Sequence, residues 1–515
     1  MSAKLLDVHG QPMPAGRNGR AHLDTAHRAA STTAAEFQTW QVSGGSADTD
    51  LLGELPTMRE RGRDLVRNHG ITTGAINTLV DNVVGTGLQC QPRPDAEALG
   101  WSRETADAWA EEVSRAWATF AEAPEFDAAR HATFHDMTTE VFCNQLVNGE
   151  ALVLPLWRPS RAGTRWATCF QGIEPDRLST PVGRETDRRM RDGVEVNRYG
   201  EPVAYHIRTA HPGAWLEGGW EAPRWERVRA RMSWGRRRAL HIFRRERWGQ
   251  HRGKPIMAPI MSALRMYDKY ADAELRAAVV NAMVAAFVES PMDGETMAGM
   301  WGSATEYMQD RAEWDVTLEG GTIQQLFPGD KVSSFAPNRP NAEFDKFSEN
   351  MLRHVGVGLN LPYELLMRDF SKTNYSSARA ALLEAWRHFR SRRAWLATQW
   401  CQPVYELWLE EAVGRGVIRA PGFYEAREAY SRARWIGPGR GWIDPKKEAE
   451  AAEIRMRAGV TTLEEECAEQ GRDWRDVLEQ RRLEETVRQD KGLAPAGDPG
   501  ASENDQPTDE QEGTA

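Results

Sequence analysis

The chain has 515 residues, 40% hydrophobic and 27% charged, which is the composition of a globular protein long enough for two or three domains. Its net charge of −10 excludes a uniformly basic nucleic-acid clamp, and its five cysteines contain no CxxC pair of the kind that marks zinc or redox sites. The longest nearly apolar stretch, 277–288, is broken by Asn281 and falls short of the roughly 20 apolar residues that span a bilayer. No secretory signal is visible, so a cytoplasmic site of synthesis is expected.

Residues 1–55 lack sustained periodicity and read as a mobile arm. Thr57 and Glu60 have capping-box spacing and predict a helix start, with a pause near Gly70. A second helix is expected through Ile76, Leu79, Val80 and Val83, stopped at Gly85. Trp109, Val113, Trp117 and Phe120 form one apolar helical stripe, and Phe134, Met137, Val141, Phe142 and Leu146 form another. Residues 151–243 alternate short apolar runs with Gly and Pro and predict a β-rich module, with a hairpin turn over 198–202.

Between 260 and 290 neither Gly nor Pro occurs, which allows an unbroken helix of roughly 46 Å. Its second half is apolar nearly all round, as expected for packing on several sides. A mixed segment over 291–340 follows, with strand-like pieces at 315–318 and 322–327. Asn341 can then cap a shorter helix striped by Phe344, Phe347, Met351 and Val355 and ended by Gly356 and Gly358. A long helix is predicted over 375–413, interrupted at Pro403. A charged helical region follows Pro445, and 489–515 reads as a disordered acidic tail. The fold class is α+β and predominantly helical.

The search for catalytic chemistry yields no constellation. GQHRGKP at 249–255 places three residues between its glycines and Pro255 where a P-loop needs Ser or Thr. His131 and His135 lie one helical turn apart without a third ligand and read as core or helix-terminus residues. No catalytic, cofactor or metal site is therefore assigned. Residues 224–254 stand out with twelve Arg or Lys against two Glu, interleaved with Trp225, Trp234 and Trp248. Arg236, Arg237, Arg238, Arg244 and Arg245 are the candidate basic contact surface, for nucleic acid, an acidic partner or a neighbouring subunit. The 20 tryptophans suggest large subunit interfaces.

The stretches GAINTLVDNVVGTGL at 74–88, HIFRRERWGQHRGKP at 241–255 and NLPYELLMRDFSKTNYSSARAALLEAWR at 360–387 resemble the lambda-type family of tailed-phage portal proteins. The resemblance spans about 57–413 and implies a homododecameric ring at one capsid vertex, in the virion after assembly in the host cytoplasm. Double-stranded DNA would pass through it, driven by the terminase large subunit. Capsid or scaffold protein and a head–tail adaptor would be its other partners, with no membrane.

The implied fold has wing, stem, clip and crown regions. The wing would be 56–254, the stem 255–290 and 341–356, and the clip 291–340. The tunnel loop would be 357–374, a further wing helix 375–414 and the crown 415–488. Arg368 and Lys372 are the positive charges of that loop and would make weak phosphate contacts; pairing with Asp369 or a neighbouring subunit is the alternative. An acidic chain suits a channel in which DNA must slide. The competing readings are a capsid or tail scaffold without a tunnel and a metal-dependent DNA-processing enzyme.

Overall fold

The structure, a computed structural model, describes residues 39–40, 42, 44–214, 223–282, 286–289, 299, 303, 305, 309, 331–334, 344–441 and 444–492. The last part of the expected N-terminal arm is ordered: α1 (Ala47–Leu51) is capped by Ser46. Asp48 on α1 is buried and accepts from the His251 main chain at 3.0 Å and its ring at 2.7 Å. A short polar helix gains this order from ion pairing that composition does not reveal. The next helix, α2 (Leu55–Asn68), begins two residues before the expected Thr57, with Pro56 in its first turn instead of a capping box. His69 breaks the chain as anticipated and caps α3 (Gly70–Val83), its ring accepting from Thr72 N–H at 3.2 Å. Gly85 then adopts φ +52°.

After β1 (Gln89–Pro92) and the single turn α4 (Ala96–Leu99) comes α5 (Arg103–Ala121), which buries the predicted Trp109, Val113, Trp117 and Phe120. A true capping box, Thr133 with Asp136, starts α6 (Phe134–Asn148). Phe134, Met137, Val141, Phe142 and Leu146 are all buried on it. Gly149, at φ +90°, turns the chain into the β module.

That module is built of two antiparallel sheets. In the first, β2 (Glu150–Trp157) lies between β3 (Thr168–Ile173) and β8 (Leu240–Phe243). In the second, β4 (Met190–Arg191), β5 (Val194–Val196), β6 (Pro202–Arg208) and β7 (Trp225–Arg229) follow in order. The predicted turn joins β5 to β6, with Gly200 N–H donating to Asn197 O at 3.0 Å. Leu152, Leu154, Val194, Tyr205, Ile207 and Val228 form its own small core.

The expected helix over 260–290 is shorter. Helix α7 (Met261–Ala282) gives way to β9 (Ala286–Glu289), which pairs antiparallel with β10 (Lys331–Ser334), Val288 opposite Val332. Phe287 and Val288 favour a strand once a cross-strand partner is available, and that partner lies more than 40 residues away in sequence. The strand-like pieces at 315–318 and 322–327, and Asn341, lie outside the described residues. Helix α8 (Phe344–Leu359) packs back on α7, Tyr270 meeting Phe344 at 5.6 Å and Phe347 at 4.8 Å between ring centroids. Gly356 and Gly358 do not end α8. They lie inside it because a Cβ at Gly356 would sit 2.6 Å from Leu361 O, and one at Gly358 would sit 2.3 Å from the Ile260 Cγ2.

Helix α9 (Tyr363–Met367) lies within the next loop. Helix α10 (Tyr375–Leu396) runs through a π-turn (Ala397–Cys401) into α11 (Gln402–Gly414). The interruption expected at Pro403 takes this form: proline offers no N–H to the preceding turn, and a wider turn accommodates its ring. Beyond α12 (Arg427–Tyr430), β11 (Ala433–Ile436) returns to pair with β1. Helices α13 (Pro445–Arg457), α14 (Leu463–Glu469) and α15 (Trp474–Asp490) follow, and residues 493–515 of the tail are outside the described set.

The main core sits among α5, α6, the π-turn and α11. Trp117 meets Trp408 at 5.2 Å, Phe126 stacks on Phe170 at 4.7 Å, and Trp400 donates to Thr138 Oγ1 at 2.8 Å. Trp109, Trp117, Trp166, Trp400 and Trp408 are thus spent on the interior of one chain. Tryptophan richness by itself had pointed to subunit interfaces.

Candidate nucleic-acid interface

The loop between α8 and α10 is short-ranged in its bonding. Asn360 and Arg368 both take φ +56°, and the N–H groups of Arg368 and Asp369 close on Glu364 O. The Asp369 carboxylate accepts from Ser371 N–H at 2.9 Å; that bonding, with Lys372 nearby, lowers its pKa. Asn374 caps α10 through Ser377 N–H at 2.8 Å. Lys372 does not pair with Asp369. Its Nζ is 3.0 Å from Glu349 Oε2 on α8, and this contact raises its pKa. Arg353 Nη2 holds the other oxygen of Glu349 at 2.7 Å. Lys372 is nevertheless 67% exposed, and Arg368 is exposed with no ion pair among the described residues. The loop carries no net charge, Glu364 and Asp369 balancing Arg368 and Lys372, but its exposed charges are the two cations, held on a braced backbone.

The basic segment proves to be three different things. Arg236 ion-pairs with Glu410 on α11 and lies 5.9 Å from the Trp157 ring, so it fastens the β module to the helical core. Arg237 is half-buried, and burial followed by the charge of Arg231 lowers its pKa. Arg238 is exposed while its N–H donates to Ala230 O at 2.9 Å. Arg244 and Arg245 are exposed, and beside them Trp248 is 93% exposed.

At the end of the same segment, Arg252 is wholly buried. Its Nη2 lies 2.7 Å from Glu150 Oε1 and its Nη1 2.6 Å from Asp192 Oδ2. Glu150 also accepts from Arg59 at 2.6 Å, His241 at 2.9 Å and Gly253 N–H at 2.8 Å. Burial pushes the Glu150 pKa up, but Arg252, Arg59 and His241 outweigh it and hold it well below the carboxylate range. GQHRGKP is thus a clamp between α2 and both sheets. The one sequence signal for it is a glutamate heading the apolar run of β2.

Among the described residues no group of three His, Cys, Asp or Glu is placed to hold a metal; His131 is exposed in the segment before the Thr133 cap and is not on a helix with His135, which lies in the first turn of α6. Nor, among those residues, is any helix long and apolar enough to cross a membrane.

A family model described as phage portal protein, lambda family, matches residues 33–393. The chain belongs to the lambda family of phage portal proteins. Portal protein B of Escherichia phage lambda is 31% identical to this portal over 490 residues, covering 91% of each chain. The portal protein of Escherichia phage N15 is also 31% identical, over 481 residues and 89% of each chain. A chain from the neck of an empty GTA particle superposes with a TM-score of 0.48 at 14% identity, over 88% of this portal and 95% of that chain. That distance carries no inference. As a member of a structural family, this portal is a virion protein and not an enzyme.

Proposed function

We propose that the chain forms a dodecameric ring at one capsid vertex, through which double-stranded DNA is packaged by a terminase and later ejected. A head–tail adaptor and capsid or scaffold protein dock on the same ring. In this reading α2 to β8 form the wing, and α7 and α8 the stem. Residues 291–340 form the clip, the α8–α10 loop faces DNA, and α12 onward builds the crown. Assembly takes place in the host cytoplasm.

The observation that carries the ring is the surface of α7. Tyr270 and Glu274 mark its packed face, yet Met266 is 64% and Leu275 65% exposed. Nine residues place these two side chains half a turn apart, one on each flank of the packed face. A helix with bare apolar surface on both flanks fits a position between two neighbours, as a head-to-tail ring requires.

Negative-stain electron microscopy of the purified chain, with its mass in solution, tests the proposal. Closed rings with a central hole and a mass about twelve times 58.0 kDa are expected. A compact monomer or dimer that cuts DNA with added magnesium would overturn it. For the loop, Lys372→Gln is expected to alter packaged-DNA yield with ring formation intact, and an unchanged yield counts against a DNA-facing role.

A further inference from the structure

Three arginines are buried among the described residues: Arg59, Arg252 and Arg392. The first two share Glu150. Arg392, on α10 and only 4% exposed, has no acidic partner among the described residues. Its guanidinium carbon lies 5.5 Å from the Phe142 ring centroid and 5.3 Å from that of Trp395, and its Nη2 donates to Gln145 Oε1. Its Nε is buried and makes no hydrogen bond.

One turn earlier on the same face, His388 Nε2 is likewise buried and unpartnered. Burial, then the charges of Arg392 and of Arg244 beyond β8, depress the His388 pKa to about 4. Burial and Arg244 similarly bring Arg392 down to about 10. A protein interior rarely holds a cation without an anion, because desolvation is not offset. Here two idle nitrogens lie one turn apart on α10, and the charge of a second arginine, Arg244, reaches both side chains. Arg244 itself is exposed.

We propose that Arg392, His388 and Arg244 form a receptor for an oxyanion, with chemistry shared by inorganic phosphate and a side-chain carboxylate of a second copy of this chain. The Arg392 fork supplies Nε–H to one oxygen, the imidazole supplies a second donor, and Arg244 closes over the charge. The rings of Phe142 and Trp395 flank the guanidinium and hold it in place.

The test is calorimetric titration of inorganic phosphate, at constant ionic strength, into unassembled chain and into assembled rings. Arg244→Gln is the main variant because that side chain is exposed and its loss spares the core. Arg245→Gln is the control. One phosphate per unassembled chain is expected, weakened about tenfold or more by R244Q and unchanged by R245Q.

Binding to both unassembled chain and rings identifies free phosphate as the occupant. Binding to unassembled chain alone, with ring formation weakened by R244Q, identifies the neighbour's carboxylate. A chain that binds phosphate but never assembles supports the receptor and counts against the ring. Absence of saturable binding by the unassembled chain, or equal affinity in R244Q, overturns the receptor.

Discussion

Gly149 and Gly253 meet back to back, so closely that a Cβ on Gly253 would stand 2.0 Å from the Gly149 carbonyl oxygen. One glycine ends α6 and the other follows Arg252, so their contact sets the depth at which the buried ion cluster is seated. Gly253→Ala is expected to destabilise the unassembled chain by about 2–3 kcal/mol, since the obstructing atoms are main chain and cannot rotate away. Urea unfolding measures this; an unchanged midpoint would show that the two segments can separate freely.

Glu150 is the only acid in contact with both Arg59 and Arg252 among the described residues. Glu150→Gln strands the buried Arg59 and leaves Arg252 with Asp192 alone, and should lower stability by about 3–5 kcal/mol. Joint replacement with Arg252→Met should cost less than the sum of the single changes, and a double-mutant cycle reads the difference. Strict additivity would mean that the cluster is not coupled.

Glu195 supplies the acid limb of the stability profile. Hydrogen bonds from Arg227 at 2.9 Å and His206 at 3.0 Å, opposed by burial, lower its pKa from 4.5 to about 2. The unfolded chain takes up this proton first as pH falls, so the stabilisation is complete above pH 4.5 and disappears toward about pH 2. Glu195→Gln should flatten the profile in that window. Equal slopes for wild type and variant would place the acid sensitivity elsewhere.

Leu275→Asp puts a charge on the bare flank of α7. Stability of the unassembled chain should move by no more than about 0.5 kcal/mol, as for exposed sites generally, while rings are lost under conditions in which the wild type assembles. Rings of wild-type mass from the variant would exclude this flank from the interface.

Arg368 occupies a left-handed position that glycine also accepts. Arg368→Gly relieves backbone strain and adds unfolded-state entropy, two effects that nearly cancel, so stability should stay within about 0.5 kcal/mol. The loop then loses one positive charge with its course unchanged. Packaged-DNA yield should fall, and a yield equal to wild type would remove Arg368 from contact with DNA.

The stripes of α5 and α6 were legible because each helix buries one face, and three- and four-residue spacing records that directly. The β module was visible for the same reason, except β4, whose two residues are too few to show a pattern, and β7, whose alternation is hidden by Arg227, Arg229 and Glu226. Contacts distant along the chain were not legible. Strand β11 pairs with β1 more than 340 residues away, and Glu150 draws its partners from α2, β8 and the 249–255 segment. Gly356 and Gly358 read as stops because sequence does not show which backbone lies against a missing Cβ. Of the candidate site, the loop with Arg368 and Lys372 was placed by resemblance, whereas the Glu349 contact of Lys372 needed coordinates. The five arginines read as one surface because proximity in sequence does not reveal that Arg236 turns inward and Arg244 outward.

The π-turn at Ala397–Cys401 inserts one residue into what is otherwise a single rod. Each residue advances a helix by about 100°, so the two halves are out of phase by that angle. Before the turn, residues such as Arg387 and Arg390 face outward; after it, Val404, Tyr405, Leu407, Trp408 and Leu409 are all buried. Deleting one residue there, with Pro403 relaxed to alanine, would restore a regular helix but rotate the outer half against the inner. The same basic side chains would then point at different neighbours, so this one turn sets the angular bearing of the outer helix.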